Sequence, residues 1–284
     1  MKEFKGKVAV ITGAANGFGQ EFAKEAAQRQ MKLVICDIDK EGLKRTSEIL
    51  DQMKADYLAL EMDVTIYENV LLLAEKTMAS YGQVDLLFNN AGVVVAGPLW
   101  ETPVKDMDYI IQSNLYSVAY GLKVFIPLME KQNTPCHIVN TASVAGLMTS
   151  TMMPLYYSTK FANVALSEST YYQLQEKNSK IKMSIYCPGF VQTDLHNCDD
   201  RRPERFAIDD DPYYSSFGYN QYNEVKKHLI ETGIPIDSVR TTVFEAIEDE
   251  KFYILTHPNY LPLIGLRVKY IMDGKNPDVA IFKR

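Results

Sequence analysis

Tyr156 and Lys160 stand four residues apart in MPLYYSTKFA (153–162), and side chains at that spacing share one face of a helix. Pro154 suits a helix's first turn, so the segment is expected to be helical from there. A phenol ionises near pH 10, and service as a base near neutrality requires lowering that by about 3 units, worth about 4 kcal/mol. The ammonium of Lys160 beside it favours the phenolate. Tyr157 is rotated about 100° away and has Phe161 as its own i+4 neighbour, which reads as packing or rim. Tyr156 is therefore the candidate acid/base. Thirteen residues earlier, Ser143 ends the run HIVNTAS, where a neutral hydroxyl is able to hydrogen-bond an oxygen as charge develops on it. Asn114, within DYIIQSNLYSVAYGL, is an amide among apolar neighbours, a pattern that a satisfied core polar group also produces.

A second constellation lies near the N-terminus. ITGAANGFGQEF places Gly13, Gly17 and Gly19, with Asn16 and Phe18 between them, after an apolar run and before a helical pattern. Glycines let the backbone turn tightly and approach a pyrophosphate, whose charge meets the free N–H groups and positive dipole end of the helix. Asp37 ends the next apolar run, where a carboxylate accepts hydrogen bonds from an adenosine ribose. A 2′-phosphate there would meet like charge, and no Arg or Lys stands at Asn16, Phe18 or Ile38, so NAD is expected rather than NADP. An aspartate serving only to cap the following helix belongs more naturally at Asp39. Asp63 and Val64 in EMDVT are placed to meet the adenine, and Asn90, Ala91 and Gly92 in FNNAG have the small and amide side chains that line a cofactor's path. Each of these also suits a loop-stabilising role. An oxidised nicotinamide would add a second positive charge favouring the Tyr156 phenolate.

Elements must bring these residues together. Short apolar runs at 7–12, 32–37, 56–63, 84–90, 137–143, 181–187 and 251–256 alternate with helix-period segments. Near-continuous apolar strands between helices imply a parallel sheet covered on both faces. The expected fold class is α/β: one Rossmann-type, doubly wound domain over 1–284 with a seven-stranded parallel sheet, whose ligands bind beyond the strands' carboxyl ends. Residues 195–250 interrupt the alternation with polar and aromatic sequence carrying Pro203 and Pro212. They read as a lid over the site or as a surface excursion. Residues 257–284 form a C-terminal extension.

Composition bounds the function. The chain is 46% apolar and 23% charged with a formal charge of −6, which argues against a broad nucleic-acid or anionic-membrane surface. Four scattered cysteines, three in apolar runs, read as buried free thiols of a reduced compartment, and no Cys or His spacing suggests a metal. No apolar run reaches the 18 residues of a membrane span, and the N-terminus does not read as a signal peptide. A cytoplasmic location is the expectation.

TGAANGFG, NNAG, Asn114, Ser143, YYSTK and PGFVQT (188–193) together resemble the short-chain dehydrogenases/reductases over roughly the first 195 residues. The resemblance implies that Tyr156 is the general acid/base, that Lys160 also holds the nicotinamide ribose and that Ser143 orients the substrate oxygen. It further implies that Asn114 supports a water-linked proton relay, and that Pro188, Gly189, Val191 and Thr193 lie along the nicotinamide carboxamide. It also implies a homodimer or homotetramer built on helices near 103–131 and 154–177. The reaction expected is hydride transfer between NAD(H) and a secondary alcohol or ketone. An NADP(H)-dependent ketoreductase of a smaller substrate, a dinucleotide sensor without catalysis and an interaction protein of the same fold are the alternatives. Met148 and Met153, with Met152 and the lid's Tyr213, Tyr214, Phe217, Tyr219 and Tyr222, suit a bulky apolar or aromatic alcohol such as a steroid, bile acid or aryl alcohol. The same residues also suit ordinary packing. The tail's Arg267, Lys269, Lys275, Lys283 and Arg284 read as a solvated terminal helix or subunit contact sooner than a membrane contact.

Overall fold

The protein is described from a computed structural model covering residues 1–208 and 210–282. Lys283 and Arg284 of the tail and Asp209 of the 195–250 stretch lie outside the described residues. Seven parallel strands form one sheet: β1 (Val8–Thr12), β2 (Lys32–Asp37), β3 (Asp56–Glu61), β4 (Leu86–Asn89), β5 (Cys136–Thr141), β6 (Ile181–Tyr186) and β7 (Tyr253–Ile254), in the order β3-β2-β1-β4-β5-β6-β7. The order reverses beside β1, between the crossovers to β2 and to β4, and that is where an open α/β sheet leaves a crevice at its carboxyl edge. Strand β1 reads VAVIT without alternation because both of its faces are covered, and all five residues are buried. The seventh strand keeps two residues of the apolar run at 251–256, since it is an edge strand paired with β6.

Helices α1 (Gly17–Gln28), α2 (Lys40–Gln52) and α3 (Tyr67–Tyr81) follow the first three strands. Asp39 caps α2 by accepting from the Gly42 N–H at 2.9 Å, and Gly82 closes α3 in the left-handed region at φ 72°. The long segment after β4 is two helices, α4 (Val104–Ile111) and α5 (Ser117–Gln132), joined by a π-helical turn, Gln112–Tyr116, that holds Asn114. α6 runs from Pro154 to Glu176.

The 195–250 stretch is not a single covering unit. Short 3-10 turns at Leu195–Arg201, Glu204–Phe206 and Pro212–Ser215 lead into α7 (Phe217–Glu231), which packs on the first and third of them. α8 (Asp237–Glu248) instead sends Val239, Val243, Phe244 and Ile247 into the core beside Phe22 and Phe88. Its apolar face therefore belongs to the body of the fold, and only residues up to about the end of α7 stand over the carboxyl ends of the strands. α9 (Leu261–Met272) has no buried residue.

Candidate functional site

The glycine turn is built to bring backbone close. Gly13 lies at φ 65°, and a Cβ there would stand 2.7 Å from the Cα of Ala91. A Cβ on Gly19 would stand 2.0 Å from the Gly13 carbonyl oxygen, so α1 packs onto the turn only without a side chain. Asn16 precedes α1 without capping it, and the first-turn N–H groups remain available to an anion. Gly13, Asn16, Gly17, Phe18, Asp37, Asp63, Val64, Asn90, Ala91, Gly92 and Thr193 all line one cleft. Gly19 does not line it; it sets the packing beneath. The carboxylate of Asp37 accepts from the N–H groups of Ala15 and Asp39, both at 2.9 Å, and burial raises its pKa. Asn90 ties β4 to the turn, donating from its side chain to the carbonyls of Thr12 (3.1 Å) and Gly13 (3.2 Å). A glycine cradle, an uncapped helix start and a strand-end carboxylate fit a dinucleotide.

A second, largely apolar cavity adjoins the first, sharing Phe18, Asn90, Gly92, Val93, Thr193 and Leu195. Ser143, Tyr156, Lys160, Met148, Met153, Pro188, Gly189 and Val191 line it. Ser143 follows β5, where its Oγ accepts from the Ala145 N–H (3.1 Å) and donates to the Pro188 carbonyl (3.1 Å). Lys160 Nζ donates to the Thr141 carbonyl at 3.0 Å and sits 5.5 Å from the centre of the Tyr156 ring. The helical spacing thus does what the sequence implies: Tyr156 and Lys160 face one cavity. Burial pushes the Tyr156 phenol up to about 12, a rise that the Ser143 hydroxyl partly offsets. Burial also brings the Lys160 ammonium down to about 8. Tyr157 hydrogen-bonds Ser150 and lines the same cavity from a buried position.

Asn114 lines neither cavity. Fully buried, its side chain accepts from the Val93 N–H (2.7 Å) and donates to the Val93 carbonyl (2.9 Å) and Thr159 Oγ1 (3.2 Å). Its own carbonyl accepts from Asn163 Nδ2 at 2.9 Å. These bonds hold the loop after β4 against α6. The aromatics of residues 213–219 also fall elsewhere than expected. Tyr213, Tyr214 and Tyr219 stack edge-on upon one another, Phe217 is exposed, and none of the four lines the apolar cavity. Tyr214 and Tyr219 instead donate to Asp106 and Asp199, the two carboxylates that grip Arg202. A buried guanidinium needs such partners, and they took precedence over the cavity. Tyr222 packs, half-buried, against the same buried cluster as Tyr156.

Sequence reasoning missed the cations of the turns at 195–206. Arg201 lines the dinucleotide cleft and is held by the Asp194 carboxylate (2.5 Å) and carbonyl (2.9 Å). Arg205 pairs with Asp63 at 2.8 Å. The signal was the run DDRRPERF, whose charges alone look like a solvated loop.

Comparison with known proteins agrees with this geometry. The sequence model for short chain dehydrogenase matches residues 7–203. The chain is 47% identical over 281 residues to a CLA biosynthesis dehydrogenase/reductase of Lactiplantibacillus plantarum, covering 99% of this chain and 98% of that one. It is 29% identical over 279 residues to a C alpha-dehydrogenase of Sphingobium sp. strain SYK-6, covering 98% and 89%. The crystal structure of a short-chain dehydrogenase/reductase from Burkholderia phymatum in complex with NAD superposes with a TM-score of 0.94 at 39% identity, over 98% of each chain. With the seven-stranded sheet, the glycine turn and the Tyr156–Lys160 pair on one cavity, these likenesses make the chain a member of the short-chain dehydrogenase/reductase family and an NAD(P)-dependent oxidoreductase.

Proposed function

We propose that the protein interconverts a secondary alcohol and a ketone with NAD(H), using Tyr156 as general acid/base. One observation carries the reading: the phenol, the Ser143 hydroxyl and the Lys160 ammonium converge on an apolar cavity that opens into the dinucleotide cleft. When bound, the nicotinamide takes or gives the hydride. In oxidation the Tyr156 phenolate accepts the proton of the substrate hydroxyl while Ser143, its hydroxyl turned from the Pro188 carbonyl, donates to the same oxygen; in reduction the phenol returns the proton. Lys160 stabilises the phenolate and is kept in place by the Thr141 carbonyl. A Cβ on Gly92 would stand 3.1 Å from Asn114 Oδ1 and 3.6 Å from Lys160 Nζ, and this nearness supports a water-linked proton relay from Asn114 to Lys160.

The preference for NAD rests on Asp37, whose carboxylate lines the cleft and would repel a 2′-phosphate. Apolar lining by Val94, Met148, Met153 and Phe190 supports a bulky substrate, of hydroxysteroid, bile-acid or aryl-alcohol type. The names of the Sphingobium and Lactiplantibacillus relatives, a C alpha-dehydrogenase and a CLA biosynthesis dehydrogenase/reductase, support the reaction class. Exposed Tyr116 and Tyr172, on the π turn and α6, support pairing of subunits into a homodimer or homotetramer. Four buried free thiols support a cytoplasmic setting, and none of the described helices is long and apolar enough to cross a membrane.

The test is titration with NADH and NADPH by fluorescence, followed by NAD-linked oxidation of short aliphatic, aryl and steroid alcohols. Tighter binding of NADH, a gap that narrows in Asp37→Ala, and faster turnover of the bulky alcohols are expected. Equal turnover of short and bulky alcohols would remove the substrate reading, and a preference for NADPH would remove the reading of Asp37.

A further inference from the structure

α7 turns a lysine inward and a valine outward. Lys226 is 3% exposed, while Val225 beside it is 39% exposed. A helix that served only to cover the fold would reverse them, since burying an ammonium is costly and burying a valine is favourable. Lys226 shares its face with Tyr222 and Ile230, four residues to either side. It lines the same cavity as Ser143 and Tyr156, as does Ile230.

The ammonium is held only loosely among the described residues. Its ion-pair partner is Asp199, and the Oδ2 of Asp199 lies 3.9 Å away, beyond hydrogen-bond reach. Asp199 is already engaged by Arg202 at 2.8 Å and by the Tyr219 hydroxyl at 3.3 Å. Among the described residues Lys226 Nζ makes no hydrogen bond. A buried cation without a hydrogen bond among the described residues thus lines the same apolar cavity as the hydroxyl-handling residues.

We infer that Lys226 is an anion-binding subsite for the far end of the substrate, and that the substrate is an amphipathic secondary alcohol bearing a carboxylate. The inference rests on the alcohol-dehydrogenase reading above and narrows its substrate class. A carboxylate supplies the missing acceptors in a charge-assisted pair, while the apolar body between the two ends lies against Val94, Met153 and Leu195. An acyl chain and a steroid acid both carry this chemistry.

Two acid–ester pairs test it with the full-length enzyme: 12-hydroxyoctadecanoate and its methyl ester, and cholate and its methyl ester. The wild type is expected to prefer acid to ester by at least tenfold in kcat/KM in one of the pairs, and that pair identifies the carrier as chain or steroid. Lys226→Met should raise KM for the acid at least tenfold, leave kcat within about threefold and leave the ester unchanged. Lys226→Arg should restore most of the acid preference. Equal loss for acid and ester would reduce Lys226 to a countercharge for Asp199 and overturn the inference, as would a wild type indifferent to the acid. Dodecanoate against dodecan-1-ol, read by the fluorescence of bound NADH, gives a second readout independent of turnover. Tighter binding of dodecanoate, lost in Lys226→Met, upholds the subsite even where no alcohol is oxidised and the dehydrogenase reading fails. Equal binding of the two probes overturns it.

Discussion

Lys160→Met should cost the enzyme its base near neutral pH while leaving the fold intact. Burial holds the Tyr156 phenol at about 12 in the free protein, so a phenolate near pH 8 requires about 4 units of stabilisation, or about 5 kcal/mol. The Lys160 ammonium lies 5.5 Å from the ring centre. At an effective dielectric of about 20, a unit charge at that range contributes about 3 kcal/mol, or about 2 pKa units. Lys160 thus supplies about half of the required lowering, and the remainder falls to the oxidised cofactor's positive ring. The variant should lose about 100-fold in kcat/KM for alcohol oxidation at pH 7–8. The rising limb of its pH profile should move about two units to the alkaline side, because the phenolate is the active form in this direction. The assay is initial-rate oxidation from pH 6 to 10, with thermal unfolding as the control for structure. A limb in its original position with activity within about threefold would refute the electrostatic argument and leave Lys160 as a scaffold for Thr141 and the cofactor alone.

Arg201 is the cation among the described residues lining the dinucleotide cleft, and Arg201→Met should weaken NADH and ADP-ribose alike by about tenfold in equilibrium binding while sparing adenosine. Loss confined to NADPH would mean that it meets a 2′-phosphate instead. His137, fully buried on β5, is held neutral with its pKa brought down to about 3 by burial. The unfolded chain takes up this proton near pH 6.5, so the native state loses stability as pH falls from there towards 3, at up to about 1.4 kcal/mol per unit. Denaturant titrations should show His137→Gln losing less between pH 6.5 and 4 than the wild type, and parallel losses would contradict this.

Most of the site was legible because its residues obey short-range rules. The i, i+4 spacing put Tyr156 and Lys160 on one face, Pro154 marked the start of α6, and glycines marked a turn where a Cβ meets backbone. The seven strands followed from apolar runs between helices, with the edge strand overestimated because a run of sequence does not say how many partners it finds. What was not legible depends on distant pairing. The tyrosines of 213–219 looked like pocket lining, yet Asp106, 107 residues before Tyr213, draws Arg202 and Tyr214 to itself. Lys226 stands beside Lys227 with nothing in the local sequence to single it out, and only the docking of α7 turns it inward. α8 carried a helical apolar pattern but stood in a stretch whose polar beginning coloured the whole.

The central claim is tested most directly by Tyr156→Phe in single turnover, with NADH formation followed after mixing enzyme, NAD and a turned-over alcohol, and with NADH affinity measured alongside. The account predicts a fall of about 10²–10⁴-fold in the rate with NADH binding unchanged. A rate within about tenfold of the wild type would contradict it, because the proton would then be leaving by a route that does not pass through Tyr156.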